Sequence, residues 1–228
     1  MSHRSTPLTL LPAMLCDGQL WSRQIMDLSP DTAIELADLT LDESIAAMAA
    51  RVLARAPARF AAAGVGLGGH VALEIMRQAP DRIDRLALIG TRGTSDRRVR
   101  LAEQHGSLAT APLADPTLTP LISGQAQAMA DRIGRDVFAR QQRALLARPA
   151  IDDMLGSIAV PTLVAVGDRD RICTRSDALA LHARIPGATF MTIADCGHLA
   201  PLERPGAVTQ ALRGWLRQGE KRTWRRAA

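Results

Sequence analysis

Four of six consecutive residues between an apolar run and a helical stretch are glycine: Gly64-Val65-Gly66-Leu67-Gly68-Gly69. The run before them, Arg59–Val65, is rich in alanine and reads as a buried strand. The stretch behind them, Gly68–Gln78, has apolar faces from Leu73, Ile75 and Met76 and stops before Pro80, so it reads as a helix. Glycines at such a junction allow a sharp turn and close approach of backbones. Two architectures use that freedom. In one, Gly64, Gly66 and Gly69 form G-x-G-x-x-G, which seats a dinucleotide pyrophosphate on the helix N-terminus. In the other, Gly64 and Gly68 are the outer glycines of G-x-S-x-G, the strained turn that presents a nucleophile, and Gly66 stands where the serine belongs.

The rest of the chain favours the second. A dinucleotide turn usually follows the first strand of its unit, and the next strand ends in an acid that holds a ribose. Here the turn follows the third apolar run, and the next run, RLALIG (Arg85–Gly90), ends in Gly90-Thr91. Six runs read as strands: Leu8–Leu11, Ala33–Leu39, Arg59–Val65, Arg85–Gly90, Pro161–Gly167 and Thr189–Ala194. Helices are expected over 19–28, from an Asp42 cap to Ala56, and over 68–78, 176–184 and 205–217. Strands alternating with helices predict parallel pairing. Continuous apolar strands predict a sheet covered on both faces, with ligands bound beyond its carboxyl edge. Between about Thr91 and Ile158 the alternation stops. Met129, Ile133, Val137 and Leu145 recur at helical spacing there, and Pro112, Pro116 and Pro120 punctuate the first half. A helical insertion is expected.

At 228 residues, 47% hydrophobic and 22% charged, the chain can bury the core of one domain. Tyrosine is absent and aromatics are 3%, so aliphatic residues and methionine must build that core. No apolar run is long enough to span a membrane, and Met1–Thr6 lacks the apolar centre of a secretory signal. Cys16, Cys173 and Cys196 form no CxxC pair and no metal-ligand spacing, which suits a reducing compartment. A cytoplasmic location is expected. The net charge of +5 comes largely from arginine, in neighbourhoods such as Asp96, Arg97 and Arg98 and in the tail Arg217, Lys221, Arg222, Arg225 and Arg226 around Trp224. No nucleic-acid module accompanies the tail, so it is expected to be solvated, with no nucleic acid as partner. Nothing in the sequence sets an oligomeric state.

Two later segments complete a pattern. Gly167-Asp168-Arg169-Asp170 follows the fifth strand, and Cys196-Gly197-His198-Leu199-Ala200-Pro201 follows the sixth. Turn, acid and histidine come in the chain order of an α/β-hydrolase triad, each just past a strand's carboxyl end. In such a triad the histidine accepts a proton and the carboxylate orients the ring.

From LTLLPAMLCDGQLW through the turn, GDRD and GHLAPLERP to the last helix, the chain resembles the α/β-hydrolase fold family, and within it small esterases and lactonases. The resemblance implies an α/β core over 1–91 and 159–228, with about six mostly parallel strands flanked by helices, and a helical cap over 92–158. It implies no cofactor, no metal and a small carbonyl substrate: an ester, thioester or lactone. It selects Asp170 over Asp168 as the acid and His198 as the base, and it assigns the oxyanion hole to the backbone N–H groups of Leu67 and Met14. Gly66 departs from the family's serine, and Ala13 from a glycine often found in the first loop. The chain also begins close to the family's third strand, with the leading antiparallel hairpin missing or vestigial.

Glycine has no nucleophilic atom, so no acyl-enzyme can form at residue 66. Three readings stay open. A serine hydrolase has lost its nucleophile; or His198 works without covalent help, activating a water or taking a substrate proton as in a lyase or isomerase; or the pocket binds a ligand without turnover. Cys16 and Cys196 lie near enough in sequence to be thiol candidates, against their reading as small buried hydrophobes. Leu15, His70 and Met129 are candidates to line the pocket, as is Met14. His70 also reads as a packed helical histidine, and the methionines as core filling. Trp21, near Asp17, reads as packing. His3, His105 and His182 belong to no constellation and are expected in solvent.

Overall fold

In the computed structural model, which describes residues 6–93 and 118–218, all six apolar runs are strands. They are β1 (Leu8–Leu11), β2 (Ile34–Leu36), β3 (Phe60–Val65), β4 (Ile83–Ile89), β5 (Thr162–Gly167) and β6 (Thr189–Ile193). They form one sheet in the order β2-β1-β3-β4-β5-β6, and every neighbouring pair is parallel. Parallel neighbours need crossover connections. These run through α1 (Ser22–Leu28), α2 (Ile45–Arg55), α3 (Leu67–Gln78) and α7 (Arg175–Arg184). Between β4 and β5 lie α4 (Pro120–Ile133), α5 (Arg135–Leu146) and α6 (Asp152–Leu155). After β6 come α8 (Ala200–Glu203) and α9 (Pro205–Leu216).

Side chains alternate across the sheet with the period of two that strands impose. Phe60, Ala62, Leu86, Leu88, Val164 and Val166 join the core shared with α2, α3 and α7. Ala61, Ala63, Ala87 and Ala165 face the other way, into the core with Trp21, Leu28, Leu212 and Trp215. The alanines matter there. Small strand residues leave depth for two fully buried tryptophans, so large groups on the covering elements meet small groups on the sheet.

Local chemistry moves several boundaries. The helix expected from Asp42 is capped by Ser44, whose hydroxyl accepts the Ala47 N–H at 3.1 Å. Asp42 lies too early to cap it and instead takes a two-point bond from Arg51, at 2.7 and 2.9 Å. The single helix expected over 19–28 is a 3₁₀ turn, Gly18–Trp21, followed by α1, because the Asp17 carboxylate accepts the Gln19 N–H and tightens the entry. Thr174 and Asp177 form a reciprocal capping box that starts α7 one residue before the expected Ser176.

The glycine-rich turn is set by backbone contact. A Cβ on Gly64 would lie 2.3 Å from the carbonyl of Gly68, and one on Gly68 would lie 2.2 Å from the carbonyl oxygen of Leu11. The first turn of α3 therefore presses directly on the end of β1. Gly68→Ala is expected to destabilise the fold by more than about 3 kcal/mol in urea titration, because neither backbone can retreat without opening the sheet. Gly214, inside α9 with nothing within 4 Å of an added Cβ, is the control. Gly214→Ala should stabilise by about 0.5–1 kcal/mol.

Candidate active site

The loops after β3, β5 and β6 meet beyond the carboxyl edge of the sheet. At the first, Gly66 has φ +51° and ψ −109°, a backbone state that strains any L side chain. Its N–H donates to the Ile89 carbonyl at 3.0 Å, and its carbonyl accepts the His70 N–H at 3.2 Å. A Cβ on Gly66 would point at His198, 2.8 Å from Nε2 and 3.4 Å from Cε1. The histidine's other nitrogen, Nδ1, is 2.9 Å from Asp170 Oδ2. Both residues are buried. Asp170 Oδ1 accepts the backbone N–H groups of Ile172 and Cys173, at 2.8 and 2.9 Å. With both carboxylate oxygens engaged, the carboxylate is fixed, Nδ1–H donates to it, and the Nε2 lone pair faces the glycine corner.

Asp168, the acid the resemblance set aside, accepts the Cys196 N–H at 3.0 Å, and this bond holds its carboxyl below the usual carboxylate range. It braces the histidine loop instead of the imidazole. Two further residues belong to the site although sequence reasoning missed them. Glu203, on α8, accepts the Gly197 and Leu199 N–H groups at 2.7 and 2.9 Å and so grips the chain on both sides of His198. The signal was present: an acid in GHLAPLERP five residues after the histidine. Gly90 follows β4, and a Cβ there would lie 3.1 Å from both Asp170 Oδ2 and His198 Nδ1. Its sequence signal was read only as a missing ribose acid.

Leu67 opens α3, where the leading N–H groups have no intrahelical acceptor. Met14 lies half-buried in a turn closed by the Cys16 N–H on the Ala13 carbonyl at 3.1 Å. Leu15, at φ +59°, is buried and gives its N–H to Gln141 Oε1 at 3.0 Å. Met129 is wholly buried in the core around Trp21, a placement that fits core filling. His70 is buried one turn into α3. Burial first, then the charges of Arg148, Arg92 and His198, push its pKa well below the usual 6.5. His182, expected in solvent, is half-buried, with Nε2 3.1 Å from the Ala188 carbonyl and its ring against Phe190. Arg217 is exposed. His3, His105, Asp96, Arg97, Arg98, Pro112, Pro116 and tail residues 221–226 lie outside the described residues.

The three thiols are free and buried. Burial, aided by the Asp17 charge, pushes Cys16 up to about 12; burial and then Glu203 raise Cys196; burial and then Asp170 raise Cys173. A thiol attacks as its thiolate, so neither Cys16 nor Cys196 is prepared to replace a serine. Among the described residues no three His, Cys, Asp or Glu side chains cluster as a metal site, and no helix is long and apolar enough to cross a membrane.

His70 gives the site a pH signature. Its folded pKa is depressed, so below pH about 6.5 the unfolded chain takes a proton that the folded chain refuses. Stability should therefore fall as pH drops below that value and be fully present above it. His70→Asn should flatten this slope in urea titrations between pH 5 and 7, by up to about 1.4 kcal/mol per pH unit.

Comparison with known proteins bears on the family. Residues 11–211 match the profile of the alpha/beta hydrolase family. Over 186 residues the chain is 30% identical to a Mycobacterium tuberculosis protein that carries the provisional name non-heme bromoperoxidase BpoC, covering 69% of this chain and 67% of that one. A shorter sequence match, over 66 residues, spans 22% of its relative's length. Among solved structures, an esterase from Thermogutta terrifontis superposes with a TM-score of 0.81 at 24% identity, covering 94% of this chain and 90% of the esterase. The enol-lactonase of Burkholderia xenovorans gives 0.78 at 20% identity, covering 95% and 93%. At those identities the structures speak for the fold, while the profile match runs from the last residue of β1 into α9: the chain belongs to the alpha/beta hydrolase family.

Proposed function

We propose that this chain acts on a small ester, thioester or lactone at a hydrolase-type site in which Gly66 occupies the nucleophile position and the Asp170–His198 pair works without a covalent partner. One observation carries the reading. Gly66 keeps the strained backbone of a nucleophile-bearing turn, and the Cβ it lacks would point at His198 Nε2 from 2.8 Å. The substrate class draws support from the esterase and the enol-lactonase that share the fold. The helices of residues 120–155 serve as part of a cap over the site, and three free thiols fit a reducing compartment such as the cytoplasm.

The chemistry follows from the orientation of the imidazole. Nε2 takes a proton from a water as the water oxygen attacks the substrate carbonyl carbon. The carbonyl π electrons move to oxygen, and the oxyanion is held by the N–H groups of Leu67 and Met14. Asp170 stabilises the imidazolium. On collapse the C–O or C–S bond breaks, and His198 returns the proton to the leaving group. A second reading rests on the same 2.8 Å approach: with no hydroxyl in between, Nε2 can take a proton from a carbon beside the carbonyl, as in a lyase or isomerase.

Parent and Gly66→Ser proteins assayed on short p-nitrophenyl esters test the reading. Gly66→Ser should hydrolyse them about a thousandfold faster or more and accept a serine-directed phosphonate label, against the roughly millionfold cost of removing a triad serine elsewhere. It should also lose about 1–3 kcal/mol of stability, since serine must adopt the positive φ and His198 must yield a few tenths of an ångström. Residual parent turnover should vanish in His198→Ala. A Gly66→Ser protein that is neither faster nor labelled removes the nucleophile-position reading; tight ligand binding without turnover in either protein would make the chain an inactive binder. In the Gly66→Ser background, Asp170→Asn should lower kcat by about 10⁴-fold, as the change to an amide does in other triads by fixing the wrong tautomer.

A further inference from the structure

The turn carrying the Met14 N–H is held by a residue far away in sequence. Cys16 closes the turn on Ala13, and its third residue, Leu15, sits at φ +59°. Positive φ at that position marks a type II turn, whose usual occupant is glycine or asparagine. A leucine there costs about 1–2 kcal/mol, so something must oppose relaxation to the ordinary turn, which would rotate the Met14–Leu15 peptide. That peptide's N–H belongs to Leu15 and donates to Gln141 Oε1 at 3.0 Å across 126 residues of chain. Gln141 projects from α5 and is 1% exposed. Its other amide atom, Nε2, donates to the Leu39 carbonyl at 3.1 Å, in the segment after β2. The two partners fix the amide's orientation, because one demands an acceptor and the other a donor.

We propose that Gln141 is a positioning residue for the oxyanion hole: its side-chain amide holds the Met14–Leu15 peptide and thereby restrains the neighbouring peptide that carries the Met14 N–H. This rests on the hydrolase-type reading above for its catalytic meaning, though the lock itself does not. The rest of the loop has weaker restraint. Arg132 on α4 bonds Asp17 and Gln19 at 2.8 and 2.7 Å, but that guanidinium is half-exposed, and such pairs contribute little. Removing the Gln141 amide orphans two buried backbone groups.

Gln141→Met keeps the volume and removes both hydrogen bonds. Gln141→Ala is the second variant, and carries the test where Gln141→Met does not fold. Two readouts are taken on the full chain. Amide NMR should show the Met14 and Leu15 resonances among the most displaced in the spectrum, with faster hydrogen exchange at Leu15. In the Gly66→Ser background, kcat on p-nitrophenyl esters should fall about tenfold or more at nearly unchanged KM, a part of the hundredfold or greater loss that follows outright removal of an oxyanion-hole donor. Unmoved Met14 and Leu15 amides overturn the lock. Moved amides with unchanged kcat overturn the catalytic role. If Gly66→Ser is inactive with Gln141 intact, the hydrolase reading is what has failed, and the amide readout still decides the lock.

Discussion

Three glycines around the carboxyl edge of the sheet have no space for a side chain, Gly68 in the first turn of α3, Gly90 just after β4 and Gly167 at the end of β5, and the candidate site is built around them. At Gly68 the neighbour is the Leu11 carbonyl; at Gly90 it is the Asp170–His198 pair; at Gly167 an added Cβ would lie 2.1 Å from the Cys196 carbonyl. Each contact joins segments from different parts of the chain at the sheet's carboxyl edge. Hydrophobic burial on both faces makes the sheet, but it does not specify which loops touch. The glycine contacts do: at Gly68 and Gly167 backbone presses on backbone, which has no rotamer through which to yield, and at Gly90 the neighbours are the buried Asp170 and His198 side chains. They bring residues 66, 170 and 198 to one point although 132 positions separate the first from the last.

Much of this was legible in the chain. Six strands and their parallel pairing came from apolar runs and turn residues, which are local signals; the choice of Asp170 over Asp168 came from the family resemblance, and the structure puts Asp170 against His198. The failures are also local in origin. Asp42 looked like a cap because it precedes an apolar stripe; the nearer Ser44 had the same chemistry and two residues less distance to cover. Gln141 was invisible, and Glu203 was passed over although it stands five residues after the histidine, for a different reason. Their partners are backbone groups, which every residue has, so residue type alone does not say what they bind. His182 was misplaced because its partner, the Ala188 carbonyl, depends on how α7 meets β6.

The distribution of ionisable groups narrows the chemistry that remains when residue 66 has no side chain. Burial keeps all three thiols protonated, and it keeps His70 neutral beside two guanidinium groups. His198 alone among these buried candidates has a carboxylate on one nitrogen and an open corner at the other. A neutral His70 also adds no second positive charge when the imidazole takes a proton. Among the described residues, the proposed proton exchange therefore falls to a single atom, Nε2, whether the proton comes from water or from carbon.

Rigidity in the site comes from buried polar bonds more than from surface charge. Arg132–Asp17 and the exposed Arg169–Asp195 pair sit near the site's loops, yet half-exposed ion pairs add at most about 1 kcal/mol each. The Gln141 amide and the Asp170 and Glu203 carboxylates act on backbone N–H groups at buried or part-buried positions, where each unmet partner costs about 1–3 kcal/mol. The magnitudes decide the order of importance. They also explain how the turn at Gly66 survives without a side chain to hold it: its conformation is imposed by the Ile89 carbonyl, by α3 and by the loops fixed above it. A frame of this kind does not depend on a side chain at residue 66, so the imidazole stays aimed at that corner with glycine there.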